Sequence, residues 1–449
     1  MEGGELLRPQ GAALHPLDSS ILYLNLRTHE FRGGVWKYDG AWTDLTSGWV
    51  NDTYATDWQI SPEGIAISKS DPAKLISCND VAVLLSDDGG ASWRQASTKK
   101  VGDRWMGTGA ELVYAYDIES GGGALYGAFE DIGLWRSDDQ GQTWKQIWWY
   151  TDDTGQRVDP DNDAGGRVVV NPADPSRFYF TATSWSGGIR ETANAKVFHS
   201  VDGGETVVEI TPPSSADNAG RPAIDVVWGP TRQSDVVYVA FHGDTIYKSD
   251  DGGTGWTEIS TGIPAEKKSL AFALKANPEN PSEVYAGLST WFGEYGASAG
   301  LYRSSDSGAT WTQAAGFPET DVASIAFAGS PRRLFVSGWT YDGSISQGRL
   351  TVSDDGQVFT EVLSQPYVMD VTALPAAPSS LVAASSSMYQ AGSGQDAGIY
   401  YSGDNGQTWS KLGGMLTHSR IFALHVMPEF PSRLLMATSG DGVVAAVMN

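Results

Sequence analysis

Short apolar runs broken by clusters of Pro, Asp, Ser and Gly recur along the whole chain. Such runs, bounded by turn residues, predict antiparallel strands joined in meanders. A unit of strand, turn, second strand and third strand can be counted nine times. The first turns of these units lie at 14–23, 67–76, 116–126, 170–179, 227–238, 276–285, 327–335, 373–382 and 426–435. The pattern therefore predicts an all-β protein built from about nine similar units.

A motif of the form S-x-D-x-G-x-[TS]-W ends the third strand of most units. Its Asp can accept hydrogen bonds from N–H groups of its own loop, its Gly can take a positive φ, and its Trp begins the return strand. Repetition at a period of roughly 40–50 residues is typical of propellers and other repeat folds. Clean copies lie at 86–93, 137–144, 304–311 and 402–409, worn copies at 200–207 and 249–256, and a shortened copy at 353–359.

These residues resemble the Asp-box, or BNR repeat, of sialidases, of Vps10/sortilin domains and of the xyloglucanase-type glycoside hydrolases (family 74-like). The resemblance is nearest to the last group and covers almost the whole chain. It implies a β-propeller of four-stranded antiparallel blades with Asp-box turns. It does not fix an activity, because enzymes, receptors and assembly factors all carry the motif.

No linker or low-complexity stretch separates the units. We therefore predict one closed propeller over residues 1–449, with nine blades, or eight if one unit is miscounted. The ninth unit stops after its third strand, at 442–448. We expect an N-terminal strand around residues 5–7 to supply the missing outer strand, because closure removes exposed sheet edges. The xyloglucanases differ in having two seven-bladed propellers, which would need far more chain.

The net charge, the apolar runs and the first residues of the chain indicate which partners and which cellular compartment to expect. A formal net charge of −24 argues against binding to nucleic acid or to anionic membranes. No run of 18 apolar residues predicts a membrane-spanning helix. The first residues lack the basic and apolar regions of a signal peptide, so we expect a secreted or periplasmic protein whose leader is not part of this sequence.

The long, irregular segments between second and third strands, and between units, hold many Trp residues and carboxylates. Sugar C–H faces pack on aromatic rings while hydroxyls bond to carboxylates, so these loops predict a polysaccharide or oligosaccharide ligand. The alternative for any single Trp is that it packs inside its own loop. The predicted binding residues are Trp58, Trp105, Trp149, Trp185, Trp291, Trp339, Tyr341 and Arg190.

Glycoside hydrolysis needs one carboxyl group as general acid and a second as base or nucleophile. The segment 128–136 (AFEDIGLWR) resembles the xyloglucanase segment in which an Asp before Ile/Val-Gly-Gly is catalytic, which makes Asp131 a candidate. The second Gly is absent here, and the family places its motif in the first repeat, where this chain has Glu30. Glu294 and Asp342 are candidates by loop position. The alternative for Asp131 is a turn Asp that caps its loop.

The leading hypothesis is hydrolysis of a β-glucan such as xyloglucan in a Trp-lined cleft by these carboxylates. A polysaccharide lyase acting on a uronic-acid glycan is an alternative, with His29, His242 or His418 and with Tyr and Arg side chains in the chemistry. A non-catalytic glycan- or protein-binding propeller is a second alternative, because it would show the same motifs and aromatic loops.

One acidic loop resembles the start of a calcium site. Asp159, Asp161 and Asp163 are spaced at i, i+2 and i+4, and Ca²⁺ prefers such oxygen ligands. However, Ala164 and Val170 stand where the EF-hand pattern needs Gly and Glu. We expect no cofactor, with a structural calcium ion at this loop as the alternative.

Overall fold

The computed structural model consists almost entirely of strands and tight turns. Its helical residues include two short 3₁₀ segments, Arg232–Ser234 and Ala265–Leu270. No helix in this part of the chain is long and apolar enough to cross a membrane. The structure describes residues 8–27, 33–46, 62–79, 82–108, 114–130, 132–147, 150–151, 157–158, 163–184, 195–213, 222–290, 299–318, 320–341, 346–365, 367–386, 397–413, 421–439 and 442–448.

Nine antiparallel sheets of three or four consecutive strands follow one another along the described chain. The first two comprise β1 (Arg8–Leu14), β2 (Leu22–Arg27), β3 (Gly33–Tyr38) and β4 (Trp42–Asp44), then β5 (Pro62–Ile67), β6 (Leu75–Asn79), β7 (Val83–Ser86) and β8 (Arg94–Gln95). A two-stranded ribbon of β9 (Thr98–Val101) and β10 (Arg104–Gly107) comes next. The third sheet comprises β11 (Ala115–Gly121), β12 (Ala124–Phe129), β13 (Gly133–Ser137) and β14 (Lys145–Gln146).

The remaining sheets repeat the same order of strands. A second ribbon pairs β15 (Tyr150–Thr151) with β16 (Arg157–Val158). The fourth and fifth sheets comprise β17 (Asp163–Val170), β18 (Phe178–Ser184), β19 (Lys196–Ser200) and β20 (Val208–Glu209), then β21 (Ala223–Val227), β22 (Val236–Ala240), β23 (Ile246–Ser249) and β24 (Thr257–Glu258). The sixth and seventh comprise β25 (Ala271–Ala276), β26 (Val284–Leu288), β27 (Gly300–Ser304) and β28 (Thr312–Gln313), then β29 (Asp321–Ala328), β30 (Arg333–Tyr341), β31 (Ser346–Ser353) and β32 (Thr360–Ser364). The eighth and ninth comprise β33 (Val368–Leu374), β34 (Ala377–Ser385), β35 (Gly398–Ser402) and β36 (Ser410–Lys411), then β37 (Ile421–Val426), β38 (Arg433–Thr438) and β39 (Val443–Val447).

The repeated motif forms the predicted turn between third and fourth strands. In the copy at 304–311, Gly308 N donates to Ser304 Oγ at 2.8 Å, and Thr310 N donates to Asp306 Oδ1 at 2.8 Å. Gly308 has a φ of +91°, where a side chain would be strained. Trp311 follows and is only 2% exposed. The turn is therefore closed by its own polar groups, while its Trp packs into the core.

The chain divides into two compact units, the first formed by residues 1–113 and 142–145, and the second by 114–141 and 146–449. In the first unit, β1 packs beside β5. Apolar side chains from both of its sheets form one buried cluster. The fully buried members of that cluster are Tyr23, Val35, Leu75, Leu84 and Trp93.

In the second unit, the first strand of each sheet packs against the first strand of the next. The order of contacts runs from β11 through β17, β21, β25, β29 and β33 to β37, and β37 in turn contacts β11. The rings of Tyr116 and Phe422 lie 5.3 Å apart between β11 and β37. The contacts thus form a cycle of seven sheets, where the sequence predicts a single ring of nine. The N-terminal strand predicted around residues 5–7 lies outside the described residues.

Carboxylates on three first strands reach the backbone of the next first strand in the cycle. Such bonds satisfy N–H groups that would otherwise be buried without a partner between two sheets. Asp370 also accepts hydrogen bonds at its Oδ1 from Ser324 Oγ at 2.9 Å and from Val371 N at 2.8 Å. The three bonds run from Val168 N to Asp117 Oδ2 (3.0 Å), from Ala276 N to Asp225 Oδ2 (2.7 Å) and from Leu424 N to Asp370 Oδ2 (2.9 Å).

Replacement of Asp370 by Ala should destabilise the protein by about 2 kcal/mol, because it leaves the donors Leu424 N, Ser324 Oγ and Val371 N without their acceptor. The matched control is Asp250→Ala, which removes an exposed partner of Lys248 and should cost less than about 1 kcal/mol. Urea unfolding followed by tryptophan fluorescence measures both. Equal unfolding midpoints for the two variants would contradict a structural role for this carboxylate.

Candidate functional site

Most of the predicted site residues fall outside the described part of the chain. This holds for Glu30, Asp131, Glu294, Asp342, Trp58, Trp149, Trp185, Trp291, Arg190, Asp159 and Asp161. Trp105 and Trp339 are described in full, whereas only the backbone is described for Tyr341 at the end of β30 and for Asp163 at the start of β17. The structure therefore locates the candidates through the strands that lead into and out of their loops.

All four candidate carboxylates follow a second strand and precede a third. In the second unit, Asp131 comes after β12, Glu294 after β26 and Asp342 after β30. The sheets that carry Glu294 and Asp342 are neighbours in the cycle, since β25 and β26 both contact β29. The sheet that carries Asp131 is next to neither of them. Of the candidates in this unit, the topology thus places only Glu294 and Asp342 on adjacent sheets.

The residues on either side of Asp131 are held by hydrogen bonds. Glu130 N donates to Tyr114 O at 2.8 Å, and Ile132 N donates to Glu130 O at 2.8 Å. The indole nitrogen of Trp135 donates to Ile132 O at 2.8 Å. Glu130 Oε2 is buried and has no hydrogen-bond partner among the described residues. Glu130, the residue before the candidate Asp131, is thus a second carboxylate at this place, and the sequence motif did not indicate it.

The loop that contains Glu294 is closed at its base. Leu288 and Gly300 are partners in the ladder of β26 and β27. Thr290 Oγ1 donates to Asp321 Oδ2 at 2.8 Å, which joins the end of the second strand to the start of β29. Burial raises the pKa of Asp321. The hydrogen bond and the ladder fix the points at which this loop leaves and re-enters the sheet.

Trp339 contacts protein side chains. It is 4% exposed, and its ring lies 5.6 Å from that of Tyr367. Ala323 and Met369 are buried in the same cluster, with Phe422 against it. Two residues further along β30, Tyr341 pairs through its backbone with Ser346. Tyr341 is the residue immediately before the candidate Asp342. The role of Trp339 in binding stays a prediction, and its packing is that of a core residue.

Trp105 lies in the first unit, on the second strand of the β9–β10 ribbon. Its backbone exchanges hydrogen bonds of 2.7 Å with that of Trp144. Lys100 Nζ lies 5.4 Å from the centre of the Trp105 ring, within the range of a cation–π contact. The ring is half-buried, so a face for a sugar is open only in part.

A charged cavity of about 350 Å³ lies among the first strands of the second unit, with residues of all seven contributing to its wall. The pattern-based prediction missed it, because its charged residues lie within strands and not in the long loops. The only sequence indication is the recurrence of acidic and basic residues inside otherwise apolar first strands. The charged and titratable residues of the wall are Asp117, Glu119, Arg167, Lys275, Asp370 and His425.

Glu119 and His425 form the pH-sensitive part of this cavity. Glu119 Oε2 lies 3.4 Å from His425 Nδ1, and His425 Nε2 shares a hydrogen bond of 2.6 Å with Ser120 Oγ. Burial, followed by the negative charge of Asp117, raises the pKa of Glu119 to about 8. Burial lowers the pKa of His425 to about 4. At neutral pH the pair therefore consists of a protonated acid beside a neutral imidazole, which can hold or pass a proton.

The described residues contain no group of three or more His, Cys, Asp or Glu side chains suited to a metal ion. The predicted calcium loop lies mainly outside the described residues, and of Asp163 only the backbone is described. The calcium alternative accordingly stays a prediction.

Comparison with known proteins finds sequence similarity to xyloglucanases. A xyloglucanase of Paenibacillus sp is 26% identical over 306 residues, covering 63% of this chain and 29% of that enzyme. A xyloglucanase of Hypocrea jecorina (strain QM6a) is 25% identical over 334 residues, covering 67% of this chain and 38% of that enzyme. This chain is similar to the xyloglucanases. No family model matches it.

The fold of this xyloglucanase-like chain agrees with that similarity. The structure of an ancestral GH74 enzyme superposes with a TM-score of 0.60 at 13% identity, covering 98% of this chain and 72% of the other. At that identity the comparison supports the β-propeller fold alone. The chain spans only about a third of the length of the two xyloglucanases.

The stability of the xyloglucanase-like chain should fall between pH 6.5 and 8.5. The folded state holds a proton on Glu119 up to a pKa of about 8, whereas the unfolded chain releases it near the ordinary value of 4.5, so this contribution is lost as pH rises. The lowered pKa of His425 acts in the opposite sense, and its contribution is lost as pH falls from 6.5 to 4.

Glu119→Gln removes the first of these two effects. Between pH 6.5 and 8.5 the urea midpoint should therefore decline in the unmodified protein and change much less in the variant. Between pH 5 and 6.5 the midpoint of the variant should rise, because the effect of His425 is no longer offset by that of Glu119. The Glu119 side chain is 42% exposed toward the cavity, so water screens part of the effect. Parallel pH curves for the two proteins would contradict the assignment.

Trp339→Ala should destabilise the protein by about 3 kcal/mol, because it removes a buried indole from a packed cluster. Trp42→Ala is the matched control, since Trp42 is 49% exposed and should cost far less. Thermal unfolding of both variants measures the difference. A Trp339→Ala protein of unchanged stability would show that the cluster does not depend on this ring.

Proposed function

We propose that the chain is part of a glycoside hydrolase that cleaves a β-glucan, with xyloglucan as the leading substrate. The observation that carries this proposal is the similarity to two xyloglucanases over 63% and 67% of the chain. A polymeric glucan does not cross membranes, so the proposed site of action is outside the cytoplasm, in secreted or periplasmic form.

The proposed mechanism uses two carboxyl groups drawn from Glu30, Asp131, Glu294 and Asp342. One would protonate the oxygen of the leaving group, and the other would act as base or nucleophile on the opposite side of the sugar. The adjacency of the β25–β28 and β29–β32 sheets supports Glu294 and Asp342 as a pair in the second unit. Asp131 is supported by its motif, and by a turn whose flanking residues are firmly bonded.

The proposed substrate cleft is lined by aromatic loop residues, with Arg190 as a hydrogen-bond donor to a hydroxyl group of the glycan. The aromatic residues are Trp58, Trp149, Trp185, Trp291 and Tyr341. Rings on the connections between second and third strands and between units can stack on successive sugar units, because the C–H faces of pyranose rings pack on aromatic rings. The buried ring of Trp339, two residues before Tyr341 in β30, packs on that of Tyr367. This contact supports the proposed cleft, because it holds the end of the strand that leads to Tyr341.

We also propose that the second unit is a closed seven-bladed propeller. The cyclic contacts of the first strands from β11 to β37 support the closure. This replaces the nine-bladed ring expected from the repeat count.

The purified chain should release reducing ends from xyloglucan without gaining absorbance near 235 nm. The assay panel contains xyloglucan, mixed-linkage glucan, pectin and ulvan. Absorbance that rises together with reducing ends would instead favour a lyase, with His242 as a described candidate. Binding without any cleavage would favour a carbohydrate-binding propeller.

Asp131→Asn, Glu30→Gln, Glu294→Gln and Asp342→Asn test the carboxylates. Loss of a general acid or base should lower kcat by about 10²–10⁴-fold. Asp250→Asn is the control at an exposed carboxylate and should leave kcat unchanged. If all four variants kept more than a tenth of the activity, the site assignment would be wrong, even if hydrolysis itself were established.

A further inference from the structure

The aspartates at the charged cavity of the second unit are engaged in hydrogen bonds inside the protein. Asp117, Asp225 and Asp370 each accept a hydrogen bond at both of their carboxylate oxygens. The side chains of Asp117 and Asp225 are only 13% and 6% exposed. These carboxylates therefore have little capacity left for a ligand. The donors are Ile118 N and Val168 N to Asp117, Lys275 Nζ and Ala276 N to Asp225, and Ser324 Oγ, Val371 N and Leu424 N to Asp370.

The two basic groups of the cavity wall, in contrast, have unused hydrogen-bond donors. Arg167 Nη1, on β17, lies 3.8 Å from Asp117 Oδ1, which is too long for a hydrogen bond. The guanidinium group can donate five hydrogen bonds and makes none to the residues that the structure describes. Lys275 Nζ, on β25, uses one of its three N–H groups on Asp225 at 2.8 Å. The side chains of Arg167 and Lys275 are 34% and 39% exposed, so a molecule in the cavity can reach their remaining donors.

The two cations act on the same part of the cavity. Burial raises the pKa of Asp117, and the positive charges of Arg167 and Lys275 both oppose that rise. Burial and the charge of Asp117 raise the pKa of Glu119, and the charge of Lys275 again acts in the opposite sense. A ligand that bound to Arg167 would therefore also lie in the electrostatic field of Lys275.

The charge balance of the cavity favours a ligand with a single negative charge. The three aspartates offset the two cations, and the carboxyl group of Glu119 is protonated at neutral pH. A dianion such as sulfate would bring two negative charges to a site without excess positive charge. A carboxylate carries one charge, and its two oxygens lie in a plane that matches the planar fork of an arginine. The volume of about 350 Å³ is at the lower end of the range for small-molecule sites, about 300–1,000 Å³.

We propose that this cavity binds a small organic monocarboxylate, held by the guanidinium group of Arg167 and the ammonium group of Lys275. The carboxylate oxygens accept hydrogen bonds from donors that no described residue uses, so no existing bond of the three aspartates is broken. The site lies among the first strands, whereas the residues of the proposed glycan cleft lie on connections between strands and between units. Its test is therefore independent of hydrolase activity.

Isothermal titration calorimetry of the full chain at pH 6.5 tests the proposal with sodium acetate, sodium lactate and sodium glucuronate. At least one of these carboxylates should bind saturably at a single site. Lactamide is the neutral counterpart of lactate and should not bind, because it offers no negative charge to the two cations. Sulfate should bind at least about tenfold more weakly than the best carboxylate, because its second charge is repelled by the aspartates.

Variants of the arginine locate the bound carboxylate. Arg167→Gln removes the charged fork and should weaken binding at least about tenfold, since charge-assisted hydrogen bonds are lost. Arg167→Lys keeps the positive charge beside Asp117 and should weaken binding less. The matched control is Arg332→Gln, which should leave binding unchanged, because Arg332 forms a similar ion pair of 3.8 Å with Glu279 but does not line the cavity. Circular dichroism confirms that the variants are folded.

The pH dependence of binding gives a second readout. Between pH 6.5 and 9, Glu119 loses its proton near its pKa of about 8, and the new negative charge should weaken carboxylate binding at least about threefold. Ionisation of Asp117 or Asp370, whose pKa values burial raises, acts in the same sense. His425 stays neutral and Lys275 stays charged, since the pKa of the first is lowered and that of the second is raised. Glu119→Gln should therefore reduce the change in affinity. The groups that face the cavity or its wall are Asp117 and Glu119 on β11, Arg167 on β17, Asp225 on β21, Lys275 on β25, Ser324 on β29, Asp370 on β33 and His425 on β37.

Three outcomes would overturn the proposal. One is the absence of saturable binding of all three carboxylates to the unmodified protein, and another is binding of lactamide or sulfate as tight as that of the carboxylates. The third is a loss of binding in Arg190→Gln that Arg167→Gln does not show, because it would assign the carboxylate to the loops of the proposed glycan cleft.

Discussion

The second unit depends on how the polar groups of its innermost strands are satisfied. Seven first strands approach one another around a cavity of about 350 Å³, and their backbones pack closely on each other at its wall. Backbone N–H groups at such a junction cost free energy unless they find acceptors. Asp117, Asp225 and Asp370 provide them, each on the strand that precedes the donor. The strands within each sheet are joined by backbone hydrogen bonds, and these carboxylates join one sheet to the next.

Burying these carboxylates costs free energy if they are charged, and groups on the same strands reduce that cost. Burial raises the pKa of Asp117 and of Asp370, since negative charge is poorly solvated there. Lys275 lies against Asp225 at 2.8 Å, and its attraction to that carboxylate raises the pKa of the ammonium group. The protonated state of Glu119 removes one more negative charge from the cavity. A protein with a net charge of −24 can therefore hold acidic groups at the centre of its second unit.

The local fold could be predicted from the sequence, because strand, turn and motif are encoded within a few residues of each other. The nine sheets lie where the repeats were counted, and the turn at 304–311 has the predicted bonds. The cycle of seven could not be predicted in this way, because the partner of β37 is set by packing between residues such as Tyr116 and Phe422, far apart in the chain. The charged cavity was missed for a similar reason, since Glu119 and His425 meet only through that contact. For Trp339, the sequence shows an aromatic residue near a loop but not whether it faces inward.

The ladders beneath the connections between second and third strands also bear on how such a protein can diversify. In one sheet the ladder ends with Phe129 opposite Gly133, and in another with Leu288 opposite Gly300, so the intervening segments differ greatly in length above the same pairing. The entropy of closing a loop rises only slowly with its length, by about 0.6 kcal/mol per doubling. Insertions at these points therefore change the free energy of unfolding of the propeller only slightly. Each blade can acquire or lose a recognition segment independently, which allows one architecture to be adapted to new ligands by the exchange of single loops.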